Sequence, residues 1–298
     1  MIARAYFFLA TTAFLWAGNA VAGKLAVGHV SPFLLVALRW VVASSVIVVI
    51  GHRHIARDWP EIRRHLPMLA TMGAIGFTVF NILFYTAARY TSAINIVIIQ
   101  AGMPLVIFLT NLALFRIRVT GAQWLGFALT LTGVATVAAQ GSLLQLMHLH
   151  LNRGDALMLV AILCYGLYTV ALRWMPKIHM ISFMATLSVA ALITSLPFAG
   201  YEIARGQAIW PDQRGWMIVV YIGLFPSLLS QMCFAAGTAI IGSNRAGLFV
   251  NFVPVFGAVL SVAILGESLH AYHLAALALV VGGVTLAQRR ARKAGAGA

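Results

Sequence analysis

The sequence has very little acidic charge. Only six of its 298 residues are Asp or Glu, and charged residues of both signs make up 9% of the chain. An average soluble domain has about 25% charged residues, which keep its surface in water. Hydrophobic residues reach 62% and the mean hydropathy is +0.95. These numbers exclude a soluble globular enzyme and a disordered chain, and they leave a polytopic membrane protein.

Sets of residues with an obvious chemical purpose are also missing. The two cysteines both fall within apolar segments. The pairs His52-x-His54 and His148-x-His150 have no carboxylate or cysteine close by in the sequence, so ordinary loop histidines are favoured over a metal site. We find no nucleophile–base pair and no glycine-rich phosphate loop. The sequence therefore predicts no catalytic residue, no metal and no cofactor.

Long uncharged runs fill most of the chain. A helix needs about 20 apolar residues to cross a bilayer, and the runs lack the alternation of barrel strands. Turn residues such as Ser31-Pro32, Pro60 and Asn152-Gly154 separate them. The sequence predicts an all-α membrane protein with ten transmembrane helices: 5–27, 32–50, 67–88, 92–114, 121–139, 154–174, 180–200, 215–236, 243–265 and 270–288.

The basic residues are unevenly distributed between the two ends of these helices. Five cations fall on the side away from the N-terminus: Lys24, Arg89, Arg153, Arg205 and Arg214. Fourteen fall on the N-terminal side: Arg4, Arg53, Arg57, Arg63, Arg64, Arg116, Arg118, Arg173, Lys177, Arg245, Arg289, Arg290, Arg292 and Lys293. The positive-inside rule therefore predicts that both termini are cytoplasmic. This placement explains the net charge of +14 without a nucleic-acid partner.

The two halves of the chain resemble each other at an offset of 149–150 residues. Matching pairs run in one register through five helices: Arg4/Arg153, Trp16/Tyr165, Lys24/Arg173, Phe33/Phe183, Gly73/Gly223, Phe84/Phe234, Pro104/Pro254 and Gly133-Val134/Gly283-Val284. The pattern predicts repeats at 1–140 and 154–289, a connecting loop at 141–153 and a basic tail at 290–298. Because each half has an odd number of helices, the second must be inverted, as in many secondary transporters. The repeat also favours a membrane span over a cleaved signal peptide at 5–27.

Polar side chains inside a bilayer are costly, so the few present are candidates for a functional site. Asn19, Asn81, Gln100, Gln231 and Asn251 form a neutral polar set within the predicted helices. Each could contact a substrate. Asn19 could instead make a hydrogen bond between helices, and the other four could belong to packed helix kinks.

Two prolines lie at equivalent positions of the repeat. Pro104 and Pro254 remove a helical hydrogen bond and predict a kink in each helix. Freed carbonyls at this depth suit either packed protein or a wet cavity, and the symmetry favours a cavity near the midplane. Its predicted lining adds large side chains to the polar set: Trp16, Met103 and Tyr168, with Phe77, Phe80 and Tyr165 as further apolar walls.

Two cations near these positions have competing interpretations. Arg39 lies inside the second helix and could be a structural arginine bonded to carbonyls, a carboxylate contact or a gate element. Lys24 lies nearer the end of the first helix, where it could snorkel to the interface or act as a gate contact. We interpret Asp155 and Glu267, at helix ends, as structural.

Several of these residues also carry a family resemblance. Trp16-x-x-Asn19-x4-Lys24, Leu38-Arg39, Asn251-Phe252-Val253-Pro254 and Leu265-Gly266-Glu267 resemble motifs of the drug/metabolite transporter superfamily, EamA branch. Within that branch the chain is most similar to the YddG-type exporters of aromatic amino acids. The resemblance implies a ten-helix exporter in the bacterial inner membrane.

Together these observations predict a secondary transporter that exports small neutral amphipathic metabolites, aromatic or other neutral amino acids, by alternating access. We expect a monomer in the lipid bilayer with a small-molecule substrate as its partner. Proton coupling is not expected, because no acidic residue falls in mid-helix. The alternatives are a proton-coupled drug or metabolite exporter of the same superfamily, a membrane-embedded lipid enzyme and a channel.

Overall fold

The computed structural model describes residues 2–115, 120–142, 152–241, 246 and 249–295, with side chains up to residue 287. Within this part every regular element is helical. We number the helices α1 (Ile2–Leu25), α2 (Pro32–Arg64), α3 (Leu66–Ala87), α4 (Ala93–Leu114), α5 (Gly121–Ala138), α6 (Arg153–Trp174), α7 (Met180–Ala204), α8 (Gln213–Ile241), α9 (Val250–Leu265) and α10 (Ala271–Ala287). The first eight are long and apolar enough to cross a membrane, and α9 and α10 are shorter. The all-helical membrane fold is confirmed.

Some sequence predictions fall on residues that the structure does not describe. Most of the connecting loop 141–153, with His148 and His150, lies outside the described residues. The same holds for the end of the tail 290–298 and for the side chains of the following basic residues: Arg116, Arg118, Arg245, Arg289, Arg290, Arg292 and Lys293.

The second helix is longer than the sequence predicted. We expected Pro60 to mark a turn, but α2 continues through it to Arg64. The proline removes the hydrogen bond to the carbonyl of Ala56. Both residues are exposed, so water can satisfy that carbonyl and the interruption costs little.

The helix ends define two faces of the bundle. The terminal face carries the start of α1 and the α6–α7 loop (175–179). The distal face carries the α1–α2 turn (26–31), the α3–α4 turn (88–92) and the α7–α8 loop (205–212). Exposed tryptophans mark both faces, as expected of side chains that sit at the two membrane–water interfaces: Trp59, Trp124 and Trp174 on the terminal side, Trp210 and Trp216 on the distal side.

A short irregular turn precedes each of the two prolines of the repeat. In α4, a turn at Ala101–Gly102 separates the segment Ala93–Gln100 from the segment Met103–Phe115. In α9, a 3₁₀ turn at Val250–Phe252 precedes the α-helix Val253–Leu265. Pro104 and Pro254 each occupy the second position of the new segment, where a missing N–H costs nothing. The predicted kink at Pro104 is therefore a helix interruption, and at Pro254 the α-helix begins after a 3₁₀ turn, so both helix N-termini lie inside the bundle.

Two wide helical turns were not predicted. Residues Ala74–Val79 of α3 and Phe225–Leu229 of α8 form π-helical turns at equivalent positions of the repeat. Such turns reorient the side chains that follow and occur often at functional sites. Here they precede Asn81 and Gln231, which both reach the same cavity.

Equivalent helices of the two halves pack very closely at α5 and α10. A Cβ added to Gly283 would collide with the carbonyl of Gly126 and lie 2.6 Å from Thr130 Oγ1. Small residues at such a crossing let two backbones touch. A Cβ on the neighbouring Gly282 would meet nothing within 4 Å.

These adjacent glycines give a matched stability test. We expect Gly283→Ala to cost about 1–3 kcal/mol, because it overpacks the crossing. Gly282→Ala is expected to be neutral or slightly stabilising, because it adds helix propensity in open space. Thermal unfolding in detergent measures both. Equal melting temperatures for the two variants would contradict the described α5–α10 packing.

Candidate functional site

A cavity of about 1110 Å³ lies at the centre of the bundle between the two halves. Its volume is slightly above the range of roughly 300–1,000 Å³ that is typical of small-molecule sites. All eight residues predicted as substrate contacts line it: Trp16, Asn19, Asn81, Gln100, Met103, Tyr168, Gln231 and Asn251. Arg39, Pro104 and Pro254 line it as well. The structure thus brings these residues together, and their contact with a substrate stays a prediction.

Aromatic rings form a continuous part of the cavity wall. Trp40 stacks on Phe77 with ring centroids 5.0 Å apart, and Phe77 contacts Tyr168 at 5.4 Å. Tyr168 lies directly against Gly76, where a Cβ would overlap its ring. Tyr165 extends the wall to Phe80, at 5.0 Å. The wall is therefore largely apolar and closely packed, which suits an aromatic or aliphatic ligand.

Three of the amide side chains in the cavity make no hydrogen bond with the described protein. Gln100 Oε1 is buried without a donor. Gln231 and Asn251 are half-buried on the cavity wall. Polar groups in this environment normally find a partner, so these amides are free to bind a ligand or water.

Side chains from neighbouring helices hold Arg39, and its interpretations as a carboxylate contact or a gate element stay predictions. Its guanidinium donates from Nη1 to Asn81 Oδ1 and Tyr85 Oη, and from Nη2 to Ser227 Oγ at 2.6 Å. Tyr85 in turn donates to Asn19 Oδ1 at 2.8 Å. The expectation that backbone carbonyls hold this arginine is wrong, since side chains from α3 and α8 hold it.

Sequence reasoning missed two members of this network, Tyr85 and Ser227. Hydroxyls are too common in apolar helices to stand out. The available signal for Tyr85 was its position one turn after Asn81, on the same side of α3. Tyr85 also lines a second cavity, of about 190 Å³, at the distal face. The network of Asn19, Arg39 and Tyr85 therefore separates the two cavities.

The central cavity extends toward the terminal face. Its lining includes Met175 and His179 from the α6–α7 loop, Met180 at the start of α7, and Thr238 near the end of α8. Among the described residues, its lining includes none from the turns of the distal face. Within the described residues the cavity therefore extends to the terminal face and stops short of the distal face.

Polar contacts close the distal face. Lys24 Nζ donates to the carbonyls of Ala88 and Thr91, at 3.0 and 2.8 Å, and so fastens α1 to the α3–α4 turn. Lys24 therefore makes specific contacts at the edge of the bundle and lies away from the central cavity.

Several polar contacts between the two halves lie at the same face. His29 Nδ1 lies 2.7 Å from Asp212 Oδ2, and hydrogen bonds from the Gly215 N–H and from His29 hold the pKa of the Asp212 carboxyl below its usual value. Glu202 accepts from Ser31 Oγ at 2.6 Å and from the first turn of α2. Glu267 accepts from the N–H groups that begin α4. These carboxylates hold the distal ends of the two halves together.

Asp155 is the most deeply buried carboxylate. It lies in the first turn of α6, is fully buried, and accepts from Thr91 Oγ1 at 2.6 Å. Its second oxygen, Oδ2, has no donor among the described residues. Asn95 connects it to His273 Nε2, at 3.2 Å from Asn95 Oδ1.

The remaining two acidic residues, Asp58 and Glu61, lie on the terminal side of α2. Within the described residues, groups of three or more metal-binding side chains are absent.

Comparison with known proteins agrees with this architecture. The model of the EamA-like transporter family matches twice, at residues 3–139 and 152–288. The chain belongs to the EamA-like transporter family. The two matches reflect the internal repeat, and the polytopic membrane fold is that of the family.

Relatives of this EamA-like protein are transporters by name. Two are the uncharacterized transporters YyaM and YetK of Bacillus subtilis (strain 168). YyaM is 27% identical over 89% of this chain and 87% of its own length. YetK is 25% identical over 94% of this chain and 85% of its own length. A probable terminal-alkyne amino-acid exporter of Streptantibioticus cattleyicolor is 26% identical over 76% of this chain and 74% of its own length. A solved crystal structure of a protein, 21% identical, matches with a TM-score of 0.66 over 98% of this chain and 99% of that one, which shows the fold alone.

Proposed function

We propose that this EamA-like transporter exports small neutral amphipathic metabolites, aromatic or other neutral amino acids, by alternating access. The central cavity carries the proposal, because aromatic walls and unpartnered neutral amides come together there from both halves of the repeat. Aromatic surfaces suit the side chain of such a substrate, and neutral amides suit its polar head group. The similarity to an amino-acid exporter supports the same class.

We propose that the terminal face is cytoplasmic and that the protein resides in a bacterial inner membrane. The excess of Lys and Arg on the terminal side supports this orientation. The structure would then represent the loading state of an exporter, with its cavity open to the cytoplasm.

A monomer suffices, since one chain supplies both halves of the cavity. The arrangement supports binding and movement of a molecule, and the cavity holds no nucleophile–base pair among its described lining residues.

We propose that transport is not coupled to protons. The acidic side chains lie at the two faces, and none lines the cavity in the described structure. A proton carrier needs a titratable group that both sides of the membrane reach in turn. Asp155 favours the second candidate, a proton-coupled exporter, because it is buried with one unpartnered oxygen.

Transport in proteoliposomes tests the function. We expect proteoliposomes loaded with unlabelled phenylalanine or leucine to accumulate the same labelled amino acid transiently by exchange. Equally loaded liposomes without the protein should not accumulate it. Exchange should persist when a protonophore collapses the pH gradient, because no proton step is required.

Two outcomes would contradict parts of this proposal. Absence of exchange for the whole panel of neutral amino acids would exclude the substrate class. Concentrative transport driven by a pH gradient, and lost in Asp155→Asn but kept in Asp58→Asn, would establish proton coupling and assign it to Asp155.

A further inference from the structure

Arg39 carries a positive charge in the middle of the bundle without a carboxylate beside it. Its side chain is 4% exposed, and its described hydrogen-bond acceptors are the neutral oxygens of Asn81, Tyr85 and Ser227. All six acidic residues of the chain are described, and none forms an ion pair with Arg39 within 4 Å. Buried charges are normally paired, so this site lacks an anion.

The guanidinium also retains hydrogen-bonding capacity. It has five N–H groups in a fixed fork, and the described acceptors account for three. Nε is buried without an acceptor, and Nη2, which has two N–H groups, has one described acceptor. Nε and Nη2 lie on one edge of the fork, and such an edge binds a carboxylate with two parallel hydrogen bonds. Because Nε is buried here, its bond to a ligand requires a local movement of the neighbouring side chains.

Two helix N-termini contribute positive potential to the same cavity. The segment Met103–Phe115 of α4 and the segment Val253–Leu265 of α9 both begin at its wall, with Met103, Pro104, Val253 and Pro254 in the lining. In broken transporter helices such ends point at anionic groups of the substrate. The aromatic walls keep the dielectric low, which strengthens these interactions.

We propose that this site requires a carboxylate on the substrate and that the carboxylate binds at Arg39. The ammonium group of an amino acid is dispensable. This inference rests on the proposed function and names the chemistry that its site selects. An ammonium group would find neutral acceptors such as Gln100 Oε1, but no described acidic side chain lines the cavity to pair with it. A cationic amine without a carboxylate would face Arg39 and both helix ends unfavourably.

Matched analogues of phenylalanine test the proposal in the purified full-length protein. 3-Phenylpropionate lacks the ammonium group, and phenethylamine lacks the carboxylate. We expect the affinity for phenylpropionate to lie within about tenfold of that for phenylalanine. Phenethylamine should bind at least about 100-fold more weakly than phenylalanine, since a charge-assisted pair accounts for a factor of about 100 in affinity. Ligand-induced thermal stabilisation measures binding, and inhibition of phenylalanine exchange measures it independently. Equal binding of the acid and the amine would overturn the proposal.

A change at Ser227 separates a binding role of Arg39 from a structural one. Ser227→Asp places an internal carboxylate beside Nη2, so it should lower the affinity for phenylpropionate by at least about 30-fold without lowering the melting temperature. Ser227→Asn is the neutral control and should keep the preference for the acid. Arg39→Lys should keep that preference with weaker binding, because it retains the charge and loses the fork.

The outcomes distinguish this inference from the proposed function. Carboxylates that stabilise the protein without any amino-acid exchange would contradict the function and leave the Arg39 site standing. Amino-acid exchange that phenethylamine inhibits as well as phenylpropionate does would leave the function standing and remove the Arg39 site. An acid preference that Ser227→Asp leaves unchanged would also overturn the assignment to Arg39.

Discussion

Asn251→Ala and Gln100→Ala are each expected to lower exchange by at least about tenfold while the melting temperature stays unchanged. Both amides line the cavity, and neither makes a hydrogen bond with the described protein. Their removal therefore costs little folding energy. The head group of an amino acid is charged, and a hydrogen bond to a charged group contributes about 1.5–3 kcal/mol, which corresponds to roughly tenfold or more in affinity.

Asn111 provides the matched control for this prediction. It lies on the second segment of α4, where its Nδ2 donates to the carbonyl of Ile107 at 2.7 Å, and it does not line the cavity. Asn111→Ala should therefore keep exchange at the level of the unmodified protein. Full exchange in both cavity variants, measured in proteoliposomes at equal protein density, would exclude these two amides from the binding site.

Lys24→Met is expected to open the distal face. The ammonium group makes two hydrogen bonds to carbonyls of the α3–α4 turn, and bonds of this charged kind are individually about 1.5–3 kcal/mol. Their loss should shift the equilibrium between the two access states toward the distal-open state by at least about tenfold. The variant keeps the length of the side chain, so packing around the apolar part of Lys24 is preserved.

A cysteine in the cavity provides the readout for this second prediction. Met103 lies on the cavity wall, so Met103→Cys places a thiol there. Cys164 and Cys233 are replaced by alanine in the same protein, so that they do not react. Lys24→Met should raise the rate of modification of the new thiol from the distal side at least about tenfold. Arg205→Met removes an exposed cation of the same face, whose guanidinium lies over the ring of Tyr201 in the last turn of α7. It should leave the rate unchanged, and an equal effect of both changes would contradict the role of Lys24 in distal closure.

The helices were predictable because charge is so scarce in this chain. The predicted span 121–139 corresponds to Gly121–Ala138, and 180–200 to Met180–Ala204. The extension of α2 through Pro60 was not predictable from the proline, because its cost depends on whether Ala56 has access to water. The π-helical turn at Ala74–Val79 has no proline or other breaker that would reveal it in the sequence.

The lining of the cavity was predictable for a physical reason. Amides such as Asn81 and Gln231 are too costly to face lipid, so they face the interior of the bundle. The network around Arg39 was harder, because its partners Tyr85 and Ser227 are ordinary hydroxyl residues that tertiary packing brings together. The closed distal face could not be predicted either, since carboxylates such as Glu202 and Glu267 bind backbone N–H groups far away in the sequence.

The most direct test of the account is the side from which Met103→Cys reacts with a membrane-impermeant maleimide. The assay uses right-side-out and inside-out vesicles, whose orientation a reporter fused after Ala298 establishes. The account predicts modification at least about tenfold faster from the terminal side without substrate, and a faster distal reaction when a transported amino acid is added. Equal rates from both sides, with no effect of substrate, would indicate a continuously open channel and contradict alternating access.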